Sequence, residues 1–441
     1  MGKLLLGCHE DRLIGDPDRK DFSGKVGEGD DRHVVTVAGS RSGKSSTVLI
    51  PNLLRYPGSV IVIDPKGELA TRTAQARASM GQQVFVLDPY ETSGFRSGNY
   101  NPLDELDQSS ATFIDDAALV ADALIIGNEK DPYWTDAARN LIDASILYMA
   151  ATKGELSLPR LRRLLLGGEG TLGRPESDRD NPDDYLFVRM AVMDAFDGLL
   201  ALLGRALLQK TEKEMGSILS TAREQLKFLD SPLMGAVLKS SDLRIQSIKH
   251  CPTTVYLCLP ASRLATHFRW LRLVVTLALI ELERDPTVPV HPVLFLLEEF
   301  AALEYMRPIE RAVGFLAGHG VRLWAVLQDL SQLRTAYPKS WETFLGNAGV
   351  LQAFGNSDLT TTEYLSRRLG QTQYLHMERG RTSSAGIASG NMGYNESLRD
   401  APLLASSEIT FHLARETNRQ MLLVPGRPPI YCDRLRAETI S

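Results

Sequence analysis

The sequence predicts an α/β fold: a mostly parallel central sheet covered by helices on both faces, split by an all-helical insertion. Three observations predict it. The first ~110 residues alternate continuous apolar, β-branched runs with helix-like runs. From about 112 to 250 the apolar residues fall at helical spacing with no convincing strand. The alternating pattern then resumes at "TTVYLCLP" (253–260).

Taken in order, "HVVTVA" reads as a strand that leads into a glycine- and serine-rich turn, and "SSTVLIPNLLRY" reads as a helix. "SVIVIDPKGE" is a nearly all-apolar strand ending in an acid, "LATRTAQARASM" is helical, and "QVFVLDPY" is a second strand of the same kind. The helical stretch contains "FIDDAALVADALII", "YWTDAARNLIDASILYMAA", "LPRLRRLLL", "FVRMAVMDAFDGLLALLGRALLQ" and "KEMGSILSTAREQLKFL". Within it, "GGEGTLGRPESDRDNPDD" (167–184) is rich in Gly, Pro and charge and is expected to be a loop. After residue 253, "VLFLLEEF" (293–300), "VRLWAVLQ" (321–328) and "GVLQAFGN" (349–356) read as strands. "LRLVVTLALIEL" (271–282), interrupted by Arg272, reads as a buried helix, and the low-complexity run 380–397 as a loop. The expected domains are therefore 1–111 with 251–441, one nucleotide-binding unit discontinuous in sequence, and 112–250, an inserted all-α domain.

The composition suits this architecture. The 441 residues allow two or three domains with sizeable cores, and 43% hydrophobic with 23% charged residues is a globular balance. A net charge of −5 excludes a generally basic surface, so any nucleic-acid contact is expected to be local, in a lined pore or a loop. Cys8, Cys251, Cys258 and Cys432 show no zinc-like or redox-like spacing and are expected to be reduced thiols in a cytoplasmic protein. The eight histidines form no HExxH pattern, which argues against a catalytic zinc. No window reaches the ~18 apolar residues of a membrane span. The start, "MGKLLLGCHEDR", is too briefly apolar for a signal peptide, so the chain is expected to be soluble.

The strongest local signal is "AGSRSGKS", Ala38 to Ser45, between a strand and a helix. This is a phosphate-binding turn with Ala38 where the first glycine usually stands, and Gly39 is expected to supply the unusual backbone angles in its place. Successive N–H groups of Gly39, Ser40, Arg41, Ser42 and Gly43 can point inward at oxyanions, and the helix that follows, through Ser45 and Ser46, adds the positive end of its dipole. Lys44 has the reach for the β- and γ-phosphates of ATP, and the Ser45 hydroxyl can ligate Mg²⁺.

Three apolar strands end in acids: Asp64, Asp88 and the pair Glu298–Glu299. Nucleotide hydrolysis needs one carboxylate near the metal and one to orient or deprotonate the attacking water. Consecutive strand-end residues point in different directions, so Glu298 is the expected metal-side acid and Glu299 the expected base. Gln328 ends the next strand, where an amide can hydrogen-bond the γ-phosphate.

These residues resemble, in order and spacing, the coupling proteins of type IV secretion and conjugation, the TraG/TraD-like hexameric ATPases. "AGSRSGKSSTVLIPNLLRYPGSVIVIDPKGEL", "FVLDPY" with "YNPLDEL", "DPYWTDAARNLI", "LLEEFAAL", "LQDLSQLRTAYPKSWETFLGNAG" and the closing "LLVPGRPPIYCDRLR" carry the resemblance, which extends from Leu4 onward. It implies a RecA-like motor domain with an inserted all-α domain. Lys44 and Ser45 would bind ATP and Mg²⁺, Glu298 and Glu299 would serve metal and water, and Gln328 would sense the γ-phosphate. Asp64, Lys66 and Glu68 would lie near the nucleotide.

The chain departs from the family pattern in having Glu298 where Asp is usual. The nearest basic candidate for an arginine finger is Arg322, with Arg311 further back. The resemblance also implies a place at the cytoplasmic face of the bacterial inner membrane, though the family's paired N-terminal membrane helices have no counterpart in this sequence. Implied partners are single-stranded DNA with its relaxosome or effector proteins, the channel ATPases and inner-membrane components of the secretion system, and a homohexamer on assembly. A different class, a weakly or non-hydrolysing adaptor presenting effectors to the channel, is kept open by Glu298.

Overall fold

The computed structural model describes residues 4–8, 25–28, 32–127, 131–152, 154–167, 182–380 and 393–435. Its strands begin with β1 (Leu4–Cys8), β2 (Lys25–Glu28), β3 (His33–Ala38), β4 (Val60–Ile63), β5 (Gln83–Leu87) and β6 (Thr253–Leu257). They continue with β7 (Val293–Leu297), β8 (Val321–Leu327), β9 (Ala348–Phe354), β10 (Gln371–Gly380), β11 (Gly393–Pro402), β12 (Arg419–Leu423) and β13 (Ile430–Asp433). The helices begin with α1 (Ile50–Leu53), α2 (Glu68–Ser79), α3 (Phe113–Leu124), α4 (Pro132–Ala151) and α5 (Leu158–Leu165). Next come α6 (Pro182–Ala191), α7 (Leu199–Leu208), α8 (Glu212–Gln225), α9 (Pro232–Val237) and α10 (Ala261–Arg284). The last are α11 (Arg307–Phe315), α12 (Leu330–Ala336), α13 (Trp341–Gly346), α14 (Leu359–Leu369) and α15 (Ser406–His412). The chain divides into two units. Met1–Leu4, Gly29–His33 and Asn52–Ala325 form the first, and Leu5–Glu28, Val34–Pro51 and Val326–Ser441 form the second.

The first unit is built on parallel strands in the order β8-β7-β4-β6-β5. In β4, Ile61 faces Val255 of β6 on one side and Phe295 of β7 on the other. Every residue of β4, β6 and β7 is buried, which is why these strands read as unbroken apolar runs. Arg77 of α2 is fully buried as well, and its guanidinium donates to the carbonyls of Leu53, Tyr56 and Gly58 and to the Thr254 hydroxyl.

Between α3 and α9 the described residues hold only helices and short 3₁₀ turns, as the periodicity predicts. Ser157 and Thr211 cap α5 and α8 by accepting from the amides of Arg160 and Glu214. The Arg162 guanidinium joins Asp230 through two bonds of 2.7 Å. These helices lie in the same unit as the parallel strands, and the long α10, expected as a buried helix over 271–282, packs against α3. Of the expected loop 167–184, residues 168–181 lie outside the described residues, while Pro182 already begins α6.

The second unit orders its strands β2-β1-β13-β12-β9-β3, and β1–β13, β13–β12 and β12–β9 pair antiparallel. A fully buried polar chain crosses it. The Thr36 hydroxyl donates to Gln352, the Gln352 amide donates to Gln420, and both glutamines donate to the Leu6 carbonyl. Buried amides held this way fix strand order, since a slip of register would orphan every member.

The low-complexity run was expected to be a loop over 380–397, but β11 starts at Gly393 and pairs with β10 as a separate hairpin, Leu375 opposite Leu398. The pairing of two polar strands, both largely exposed, leaves no core-facing apolar alternation to read. Residues 381–392 lie outside the described residues. No helix among the described residues is long and apolar enough to cross a membrane. Cys251 is exposed, Cys258 and Cys432 are buried, and all three are free thiols.

Candidate functional site

The turn after β3 lies in the second unit. Ser42 N–H and Oγ both return to the Gly39 carbonyl, at 3.3 and 2.6 Å, closing a four-residue turn with Arg41 at φ +56°. Gly43 follows at φ +86°. Gly39 itself has no positive φ. It must be glycine for a different reason from the one expected: a Cβ there would lie 2.1 Å from the Gly355 carbonyl oxygen. Close approach of the β9 end, not backbone angle, calls for glycine at 39.

The loop's carbonyls are taken by its own chain. Lys44 Nζ donates to Ala38 O at 2.6 Å and Gly39 O at 3.3 Å. Gly43 O accepts from Thr47 N, Thr47 Oγ1 and Ser46 Oγ. Ser42 O accepts from the Arg434 guanidinium. With its acceptors occupied, the turn offers donors, which is the chemistry that holds an anion. The helix then opens with a wide turn, Ser45–Leu49, in which the Ile50 N–H reaches back to the Ser45 carbonyl, before α1. Ser40 and Arg41 are exposed, while Gly39, Gly43, Lys44, Ser45 and Ser46 are half-buried.

Gln328, also in the second unit, stands just beyond β8. Its N–H donates to Gln332 Oε1, and its carbonyl accepts from Asn356 Nδ2 at 3.2 Å. Asn356 is 2% exposed and follows Gly355, the residue that touches the phosphate-type turn.

Asp64, Glu298, Glu299 and Arg322 belong to the first unit. Glu298 follows β7 directly and is buried, whereas Glu299 is half-buried. Glu299 adopts φ +54°, ψ +44°, a left-handed conformation uncommon for a residue with a side chain, and leads a 3₁₀ turn, Phe300–Leu303. Glu304, at φ +55°, closes that turn. The Arg272 guanidinium braces it by donating to the carbonyls of Leu303 and Tyr305. Arg272, which interrupts an apolar run in sequence, thus has a defined structural task.

Asp64 and Arg322, two of the expected site residues, are buried. Asp64 was expected beside the nucleotide, yet it is completely buried and its Oδ2 accepts from the Ala70 amide in the first turn of α2 at 2.8 Å. Burial pushes its carboxyl up to about 6, against the backbone hydrogen bonds that favour the anion. It is a helix cap; of its motif neighbours, Lys66 is exposed and Glu68 pairs with Arg72. Arg322 was expected as the arginine finger, yet it is 2% exposed within β8, opposite Leu294 of β7. Its charge is felt by His33 and Tyr56 in the interior of its own unit. Arg311, exposed on α11 against Phe315, is the alternative left.

Asp88 repeats the Asp64 device one strand over. Each acid's carbonyl accepts from the amide three residues on (Gly67 and Glu91, both at positive φ), and each carboxylate then takes an amide from the turn that follows. The two "DP" turns interlock. A Cβ on Gly67 would fall 2.6 Å from the Ser93 backbone, and Thr71 Oγ1 donates to Ser93 O.

Sequence reasoning missed Gly355, Asn356, Arg415 and Arg434. All four lie more than 300 residues from the turn they serve, and no local spacing marks them.

A family model described as type IV secretory system conjugative DNA transfer matches residues 6–436. The conjugal transfer protein TraG of Escherichia coli is 28% identical over 435 residues, covering 90% of this chain and 66% of its own. The protein VirD4 of Agrobacterium fabrum is 28% identical over 430 residues, covering 94% and 60%. The chain therefore spans about three-fifths to two-thirds of the length of these relatives. Among solved structures, the unbound bacterial conjugative coupling protein TrwB superposes with a TM-score of 0.67 at 17% identity, over 92% of this chain and 84% of that one. TrwB in complex with the ATP analogue ADPNP gives 0.65 at 16%, over 92% and 85%. At these identities the likeness is one of fold, α/β with a mostly parallel sheet. With a family model matched across all but the chain ends, the protein belongs to the type IV secretion coupling-protein family of conjugative DNA transfer.

Proposed function

We propose that this chain is the ATP-hydrolysing motor of a type IV secretion coupling protein, recruiting single-stranded DNA with its bound proteins, or effector proteins, and driving them to the secretion channel. The observation that carries this reading is the turn at 38–45, in which the carbonyls of Ala38, Gly39, Ser42 and Gly43 accept from Lys44, Ser42, Arg434, Ser46 and Thr47. Such a turn fits a triphosphate, and TrwB has been solved with ADP and Mg²⁺.

In this reading Lys44 faces the β- and γ-phosphates, Ser45 and Glu298 are the protein's contribution to Mg²⁺, Glu299 orients or deprotonates water, and Gln328 senses the γ-phosphate. No group of three His, Cys, Asp or Glu among the described residues would hold a metal unaided. A hydroxyl and one carboxylate suit a cation that takes its other ligands from phosphate and water. Mg²⁺ would neutralise charge on the phosphate oxygens when bound. Residues 112–250 are proposed as the inserted all-α domain that meets cargo, subunits as a ring of six at the inner membrane's cytoplasmic face, and Arg311 as the residue reaching a neighbour's γ-phosphate. Contact with single-stranded DNA would be mainly to phosphate and indifferent to sequence.

A second reading, a non-hydrolysing adaptor, is favoured by Glu298 in place of Asp, since the extra methylene moves the carboxylate. ATPase assays of the purified protein with and without single-stranded DNA separate the two. The motor predicts turnover that rises with DNA, and a Glu299→Gln variant that binds ATP but hydrolyses it about 100-fold more slowly. Absence of turnover in the wild type under both conditions leaves the adaptor.

A further inference from the structure

The carbonyl of Ser42 is served by a side chain from a distant part of the sequence. Its donor is Arg434, just past β13. The guanidinium is 4% exposed. Its second nitrogen donates to Arg415 O at 2.6 Å, and its carbon lies 4.9 Å from the centre of the Phe354 ring. Gly355, at φ +65°, packs behind the same residue: a Cβ there would meet Ser42 Cβ at 2.7 Å. A Cβ on Gly43 would lie 3.5 Å from the same guanidinium nitrogen that bonds Ser42.

The Ser42 carbonyl and the Gly43 N–H share one trans peptide plane and point in opposite directions. A donor that fixes the carbonyl on one side therefore turns the N–H to the other. A charged donor also polarises that peptide and strengthens its N–H. We propose that Arg434 is a positioning residue for the nucleotide phosphates: from behind the turn it sets the Ser42–Gly43 peptide so that the Gly43 amide faces the anion. The proposal rests on reading 38–45 as the triphosphate turn. Its ligand is the phosphate chain, and the base and ribose play no part. The planar fork matters because one guanidinium spans two carbonyls, Ser42 and Arg415, while resting on an aromatic face. Lysine offers the charge without that geometry.

The test is equilibrium binding of a non-hydrolysable ATP analogue, of ADP and of adenosine to wild type, Arg434→Met and Arg434→Lys, with the KM for ATP and kcat measured beside it. The expected result is an analogue affinity weakened about tenfold in Arg434→Met and about threefold in Arg434→Lys. The loss should shrink from ATP analogue to ADP and vanish for adenosine, and KM should rise while kcat changes less than about twofold. A purely structural role would lower the melting midpoint without that phosphate-graded loss. If Arg434→Met does not fold, Arg434→Lys decides alone. Wild-type affinity in a folded variant, or an equal loss for adenosine, overturns the proposal. Lys44→Ala is the control: if it binds the analogue as wild type does, the reading of the turn fails and not the role of Arg434.

Discussion

The turns that end β3 and β4 start from the same plan and reach opposite chemistry. Each follows a buried strand, passes through a residue at positive φ and opens a helix. After β4 the strand ends in Asp64, whose carboxylate accepts from the Ala70 amide, so the helix start is occupied by the chain's own anion. After β3 the strand ends in Ala38, and the turn spends Lys44, Ser46, Thr47 and Arg434 on its carbonyls instead. One turn consumes its donors and the other consumes its acceptors. The residue at each strand end differs in kind: an acid that accepts an amide of the next helix at one, an alanine with no such acceptor at the other.

The largest effect that sharpens this contrast is expected at Lys44. Lys44→Ala should reduce ATP turnover at least about 100-fold, the scale for losing one charged group aimed at developing charge. The melting midpoint should stay near that of the wild type, because Lys44 is half-buried and donates to the carbonyls of its own turn. Turnover in that variant close to wild type would remove the turn from the reaction.

Asp88→Ala should do the reverse. Asp88 accepts from both the N–H and the hydroxyl of Ser93 at 2.6 and 2.7 Å in a fully buried setting. Its loss should cost about 2 kcal/mol of stability by denaturant titration, with nucleotide affinity of the folded fraction unchanged. A large affinity change would mean the capped turns do reach the nucleotide.

The smallest expected effect is a pH dependence. Asp64 is raised from 3.8 to about 6 in the folded state, mainly by burial. The native protein therefore binds this proton more tightly than the unfolded chain, and stability from this group is gained as pH falls through about 6 and is complete below about 4. His33 acts the other way. Burial lowers it from 6.5 to about 4, so below about 6.5 its protonation favours unfolding. Comparing wild type with Asp64→Asn isolates the first term: between pH 7.5 and 5 the wild type should gain about 1 kcal/mol relative to the variant. A parallel pH profile for the two proteins would count against a desolvated carboxylate at this turn.

How far the sequence could be read follows the range of the interactions. The phosphate-type turn was legible because its donors Lys44, Ser46 and Thr47 lie within nine residues of Ala38. The acid pair after β7 was legible because a five-residue apolar run ends there, and the structure does turn Glu298 inward and leave Glu299 half-buried. The surroundings of Asp64 were not legible because an acid at a strand end looks alike whether it meets a cation or accepts from the next helix, and the Ala70 contact exists only in the fold. The burial of Arg322 was not legible because a charge two residues into β8 reads as surface, whereas it lies buried opposite Leu294.

By itself the sequence determined the alternation of strand and helix, the helical character of the stretch read as 112–250 and the position of the glycine- and serine-rich turn after β3, all properties of hydrophobic period and local turn chemistry. Tertiary structure alone decided which partners complete that turn. Gly355 sets the need for glycine at 39, and Arg434 fixes the Ser42 peptide, by close approach of segments far apart in the chain. Local periodicity reports the face a residue turns to the core. It carries no information about which distant backbone arrives there.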